Sequence, residues 1–208
     1  MVRVTSKTQL SGAGLPRDRP VLVLVGGADG MERTDLDALA SALRDLVPLL
    51  DECGAVVVDG GTDVGVMRAA GRARAAAGGA FPLIGVAAEV AVDVGAFEPN
   101  HTHLVLVPGG TWGDESPWLA DVADVVAGSQ PSLTVLANGG LITFDDAEHS
   151  LHRDRPLVVL RGSGRTADAI ADGADERSTA IATSPLTTVL GYADLRAHVD
   201  QVLRREGE

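Results

Sequence analysis

The sequence predicts an α/β fold built on a mostly parallel sheet covered on both faces. Short β-branched runs alternate with stretches of helical apolar spacing along nearly all of the 208 residues. The runs are apolar throughout rather than alternating, as in Val21-Leu22-Val23-Leu24-Val25, which is how a strand buried on both sides reads. Five of them end in a small-residue turn rich in glycine, which a tight strand-to-helix turn uses.

Taken in order, residues 1–19 are polar and carry Gly12, Gly14 and Pro16, and they read as a flexible arm ahead of one domain over 20–208. The first strand, 21–25, precedes a helix over 32–52 whose apolar face holds Leu36, Leu39, Leu43, Leu46 and Leu50, with Pro48 kinking or shortening its end. Strand 55–58 and helix 64–77 follow, then strands 83–86 and 103–107. A helix over 115–127 leads to strand 133–137, and Thr143 can cap a helix running to His152. Strand 157–160, a helix over 164–171, an edge strand over 186–190 and a closing helix over 193–205 complete the chain. Residues 172–185, acidic and then Ser/Thr-rich, read as a loop.

Charge and composition exclude several classes. The formal charge of −12 opposes binding to a phosphate backbone, which needs clustered cations. No stretch approaches the roughly 20 apolar residues of a membrane span, and Met1 to Leu15 lacks the apolar core of a secretory signal, so no membrane insertion and a cytoplasmic location are expected. Cys53 is the only cysteine, which rules out an internal disulfide and a cysteine-based zinc site and favours a buried structural thiol.

The turns are Gly26-Gly27-Ala28-Asp29-Gly30, Gly60-Gly61-Thr62-Asp63-Val64-Gly65, Pro108-Gly109-Gly110-Thr111, Asn138-Gly139-Gly140 and Gly162-Ser163-Gly164-Arg165. Glycine lets backbone N–H groups approach an anion, and the helix that follows adds favourable partial charge. One such turn is ordinary; five at the carboxyl ends of parallel strands point to a phosphate-bearing ligand. GxGxxG with a matching acidic residue is absent, and GxxxxGK[ST] cannot exist because Lys7 is the only lysine.

Gly60-Gly61-Thr62-Asp63-Val64-Gly65-Val66-Met67 resembles the GGxxxGxM turn of the SLOG superfamily, which includes the Lonely Guy phosphoribohydrolases and the DprA-like single-stranded DNA binders. Pro99-Asn100-His101-Thr102-His103 with the strand after it, Leu133 to Gly140, and Arg155 to Asp168 with its GSGRxAD pattern are similar, in the same order, to segments of the N-terminal domain of melastatin-type TRP channels. The chain thus resembles a compact prokaryotic, LSDAT-type relative. The resemblance implies a three-layer Rossmann-like sandwich that binds a nucleotide of the ADP-ribose or NAD-derived kind, and no cofactor of its own is expected. In the melastatin channels the domain is joined to a membrane pore; here a separately encoded effector protein is the expected partner. A homodimer is also expected.

On that resemblance, Gly26, Gly27, Gly60, Gly61, Thr62, Gly65, Gly109, Gly110, Thr111, Gly139, Gly140, Gly162, Ser163 and Gly164 surround the ligand. Arg165 clamps a diphosphate beside the N–H groups of Ser163 and Gly164, and Asp168 either orients it or favours the first helical turn. Met67 packs against a base or into the core. Asn100, with His101 and His103, positions a loop beside the ligand; a metal site there lacks a third ligand. Trp112 and Trp118 stack on a base, cap a pocket or form an oligomer contact. The alternative is a Lonely Guy-like phosphoribohydrolase with Glu115 as its carboxylate. Against it, Pro108 to Ser116 matches PGGxGTxxE only at its first three residues, and no Arg or Lys stands between Arg74 and Arg153 to supply the assisting cation. Single-stranded nucleic-acid binding of the DprA type conflicts with the acidity and the lack of a basic groove.

Overall fold

The computed structural model describes residues 1–27, 31–89 and 97–204. In chain order the elements are β1 Val2–Arg3, α1 Lys7–Leu10, β2 Val21–Gly26, α2 Arg33–Glu52, β3 Val56–Asp59, α3 Gly65–Ala76, β4 Leu83–Ala88 and β5 His103–Val107. There follow α4 Ser116–Ala127, β6 Ser132–Ala137, α5 Leu141–Leu151, β7 Leu157–Leu160, α6 Arg165–Asp172, α7 Glu176–Ala182, β8 Thr187–Leu190 and α8 Tyr192–Leu203. The strands form one sheet in the order β1-β5-β4-β3-β2-β6-β7-β8, every neighbouring pair parallel.

The period of two along each strand divides its side chains between two cores. From β2, Leu22 and Leu24 join α2, α3 and α8 on one face. Val21, Val23 and Val25 join α1 and α4 to α7 on the other. The result is a three-layer α/β sandwich, and the all-apolar strand runs follow from burial on both sides. Among the described residues no helix is long and apolar enough to cross a membrane. Cys53 is free and half-buried, and burial pushes its thiol pKa up.

Four local expectations need correction. Residues 1–19 are not a loose arm: Val2 pairs with Val105, Arg3 with Leu106, and Val4, Leu10 and Leu15 are buried in the second core. Their polar neighbours mask these three anchors in the sequence. Pro48 does not end α2, which continues to Glu52. Thr143 is not the cap of α5; Gly140 occupies that position, and the Thr143 hydroxyl reaches back to accept from the Gly140 N–H at 3.2 Å. Residues 172–185 contain α7, started by Asp175, whose side chain accepts from the Ser178 N–H at 2.7 Å.

The docked arm yields a prediction. Leu10→Ala leaves a cavity between α1 and α4 and should lower the unfolding free energy by about 2–4 kcal/mol, read from a denaturant midpoint. A shift below about 0.5 kcal/mol would mean that the arm is not packed in solution.

Candidate functional site at the switch point of the sheet

Because all strands are parallel, their carboxyl ends share one edge. From β2 the chain moves outward through β3 and β4 to β5, whereas from β6 it moves the other way through β7 to β8. The switch point therefore lies between β2 and β6, where sheets of this kind open a crevice. Here the two backbones are in near contact. A Cβ on Gly26 would lie 1.9 Å from the Ala137 carbonyl oxygen, and one on Gly27 would lie 2.4 Å from Asn138 Oδ1.

The loops at this edge interlock. Asn138, in left-handed conformation at φ 58°, accepts from the Gly139 N–H through Oδ1 at 2.6 Å and donates through Nδ2 to the Ser163 carbonyl at 2.9 Å. Its backbone N–H donates to Ser163 Oγ at 2.7 Å, and its carbonyl accepts from the Ala167 N–H. The Val66 N–H donates to the Gly27 carbonyl, and Thr166 Oγ1 donates to the Gly140 carbonyl at 2.9 Å. The loops after β2, β3, β6 and β7 are thereby one unit. Gly113 brings the loop after β5 alongside, since a Cβ there would lie 3.3 Å from Ile142. Asn138 was not singled out from sequence, although an asparagine before Gly-Gly is the residue type that tolerates a left-handed backbone.

Most of the loop amides expected to face a ligand are already satisfied. Asp168 accepts from the N–H groups of Gly162 at 2.6 Å and Gly164 at 3.1 Å, so it braces the turn; the Ser163 N–H donates to the Leu160 carbonyl. Asp114 accepts from Gly110 at 2.6 Å and Thr111 at 3.0 Å, and these backbone bonds hold its carboxyl pKa down. Glu115 accepts from Gly113 at 3.0 Å, and burial pushes its pKa up. Gly61 donates to Asp59 and Gly27 to Ala137. A carboxylate that already fills a turn also repels a second anion. What the edge offers an anion is the first turn of α5, where Leu141 and Ile142 have N–H groups without intrahelical acceptors, and the Arg165 guanidinium. Arg165 Nη2 lies 3.5 Å from where a Cβ on Gly140 would be.

Arg165 begins α6 at φ 48°, a left-handed conformation that costs a non-glycine residue of order 1 kcal/mol and persists where surroundings impose it. Two of the three exposed large apolar side chains among the described residues are on the neighbouring loops: Leu141, which follows Gly140, at 82%, and Trp112, next to the Gly113 that meets Ile142, at 55%. Trp118 instead packs against the second core. The edge thus pairs a cation and a helix N-terminus with an exposed apolar rim.

Several expected site residues lie elsewhere. Met67 is buried under Gly60 in the first core. Thr62 is 3% exposed and bridged to Phe97. Gly65 and Met31 line a separate groove between α2 and α3. Asn100 lies in the turn that precedes β5, where its N–H donates to Glu98 at 2.8 Å and its carbonyl accepts from Arg74. Ala28, Asp29 and Gly30 of the first loop lie outside the described residues.

His101 is not paired with His103, which hydrogen-bonds to Thr102. It lies 1% exposed between two buried carboxylates, Nε2 at 2.7 Å from Asp59 and Nδ1 at 3.0 Å from Glu98. Both ring nitrogens donate to a carboxylate only in the imidazolium form. Burial opposes that charge, but the two carboxylates outweigh it and push the pKa up to about 9. Glu98 is seated over Gly71 of α3, where a Cβ would lie 2.0 Å from its carboxylate. This ion cluster pins the return from β4 to β5 beneath the Gly61 turn, a supporting role the sequence did not disclose.

The folded-state pKa of His101 exceeds its unfolded value of 6.5, so its stabilisation is complete below pH 6.5 and is lost as pH rises through about 9. Relative to His101→Gln, the unfolding free energy of the native chain should fall by on the order of 3 kcal/mol between pH 6 and pH 10. Parallel pH profiles for the two proteins would remove the imidazolium assignment.

Together the parallel sheet and the loops at its switch point define a Rossmann-like three-layer α/β domain. The sequence profile described as SLOG in TRPM, prokaryote, matches residues 19–201, and the chain belongs to that family. The mouse transient receptor potential cation channel subfamily M member 2 is 24% identical in a match covering 70% of this chain and 12% of the channel. The chain therefore matches only a small part of that relative. Among solved structures, the molybdenum cofactor carrier protein of Chlamydomonas reinhardtii superposes with a TM-score of 0.66 at 18% identity, over 90% of this chain and 99% of that one. The molybdenum cofactor binding protein of Rippkaea orientalis gives 0.62 at 15% identity, over 88% and 97%. These likenesses establish the fold.

Proposed function

We propose that this domain binds a nucleotide of the ADP-ribose or NAD-derived kind at the β2–β6 switch point and signals its presence to an effector protein. The observation that carries the reading is Arg165, held in a left-handed conformation with its guanidinium beside Gly140 at the N-terminus of α5. A phosphate placed there meets a charge-assisted donor and the partial positive charge of a helix. Trp112 and Leu141 offer apolar surface on which a flat base can lie. The nucleotide class is the one that the sequence resemblance implies.

A second ligand class has its own support. The two solved structures above align over nearly their whole length with this chain, and their names state molybdenum cofactor binding and carriage. That cofactor is, like a nucleotide, a phosphate-bearing flat heterocycle, and it would use the same features. Cleavage of the ligand would need Glu115 as a proton donor, and its raised pKa is the one feature in favour of it.

Calorimetric titration with ADP-ribose, cyclic ADP-ribose, NAD, AMP and a phosphorylated pterin separates these readings. Binding of ADP-ribose or NAD without turnover is expected, and Arg165→Ala should weaken it by about 1.5–3 kcal/mol. Preference for the pterin moves the domain to the carrier class, and release of free base that stops in Glu115→Gln makes it a hydrolase.

A further inference from the structure

The distribution of arginines carries information that the switch-point crevice does not use. Among the described residues, every lysine and arginine except three makes a hydrogen bond or other electrostatic contact within the chain. The three are Arg33, Arg44 and Arg72. All three line one cavity of about 510 Å³, the groove on the outer side of α2 and α3. In a chain of 29 acidic and 17 basic side chains, cations left without acids are the exception, and here they share a single concavity.

The helices explain the shape. α2 and α3 each follow a strand of the parallel sheet, so they run side by side in the same direction. On α2, Leu36, Ala40 and Arg44 recur at i, i+4 and i+8; on α3, Ala69, Ala73 and Ala76 do so at i, i+4 and i+7. The alanines keep the floor low, and the guanidinium groups stand at its sides. Arg68 also lines the groove but bonds Asp63, and Asp37 is the only acidic residue among the lining side chains. Four arginines against one aspartate give the lining a formal charge of +3 in a chain of −12.

We infer that the α2–α3 groove is a second ligand site, which takes a polyphosphorylated molecule with a compact apolar or aromatic body. The body rests on the Leu36 and alanine floor while Arg33, Arg44 and Arg72 meet the phosphates. The cavity has the size of small-molecule sites, about 300–1,000 Å³, and an apolar floor with a few convergent charged groups is their common make-up. Arginine suits phosphate because its planar fork offers paired donors. The groove begins at Met31 and Gly65, just past the glycine turns that follow β2 and β3, while Arg44 and Arg72 stand further along the two helices. A side-chain exchange at Arg44 and Arg72 therefore leaves the Arg165 crevice intact.

The test uses inorganic tripolyphosphate and ATP as probes, titrated by calorimetry at low salt into four proteins. These are the native chain, Arg165→Ala, Arg44→Gln/Arg72→Gln, and the combination. Both probes should bind the native chain, ATP more tightly because adenosine covers the apolar floor. Arg44→Gln/Arg72→Gln should weaken each probe at least about tenfold, in the native background and in Arg165→Ala alike. The exchanged side chains are exposed, and an unchanged thermal midpoint without probe verifies the fold. Absence of binding by either probe overturns the inference. So does binding that the double exchange leaves unaltered, or binding that Arg165→Ala alone abolishes, which would assign it to the crevice. Occupancy by an acidic peptide but by neither probe would make the groove a protein contact instead.

Discussion

The β2–β6 junction is the constraint on which the rest of the molecule depends. Two strands far apart in sequence meet there in full register from Val21–Ser132 to Gly26–Ala137, and the chain leaves them in opposite directions. At the end of this pairing the backbones are too close for any side chain on Gly26. That closeness allows the Gly27 carbonyl to receive Val66 of α3 and places Asn138 where it can hold Ser163. A hydrogen-bonded frame of four loops follows from one strand pairing, and for the ligand proposed above such a frame lowers the ordering cost of binding.

The same frame alters how an anion can be recognised. Glycine turns at a sheet edge are usually thought of as donors to phosphate, but here Asp59, Asp114 and Asp168 fill the turns after β3, β5 and β7 from within. Each carboxylate rigidifies its turn and lowers its appetite for a second negative charge. On the proposed reading, recognition is thereby concentrated on a helix N-terminus and one guanidinium. It is a narrower and more directional solution than a ring of amides, and it makes the left-handed backbone of Arg165 intelligible as a positioning device. The buried imidazolium between Asp59 and Glu98 belongs to this logic, since it offsets the charge that stiffens the Gly61 turn.

What the sequence disclosed and what it hid divide along physical lines. Strands buried on both faces, such as Val21–Val25 and Leu157–Leu160, are legible because their pattern is set by solvent exclusion alone. The placement of the five glycine turns on one edge follows from parallel topology and is equally legible. Hidden features depend on which partner a polar group finds. Asp168 reads as a companion of Arg165 but braces two amides; Asn100 reads as a ligand contact but satisfies Glu98; the acidic stretch after Asp172 reads as a loop, yet Asp175 caps a helix. The packed N-terminal segment was hidden for a related reason. Its three anchors are spaced too irregularly to give a periodic signal, and only the exposed edge of β5 explains why they are there.

The two arginine arrangements differ in a way that bears on their use. Arg165 leaves a strained backbone next to a rigid loop frame, the more pre-organised setting of the two. Arg33, Arg44 and Arg72 stand on long exposed side chains over an alanine floor, with no internal acid to hold them. Such cations lose considerable side-chain entropy on binding and are screened by salt, so their attraction is broad and adaptable. The helix α3 belongs to both settings: its N-terminal Val66 is tied to Gly27 in the frame, and its Arg72 faces the groove.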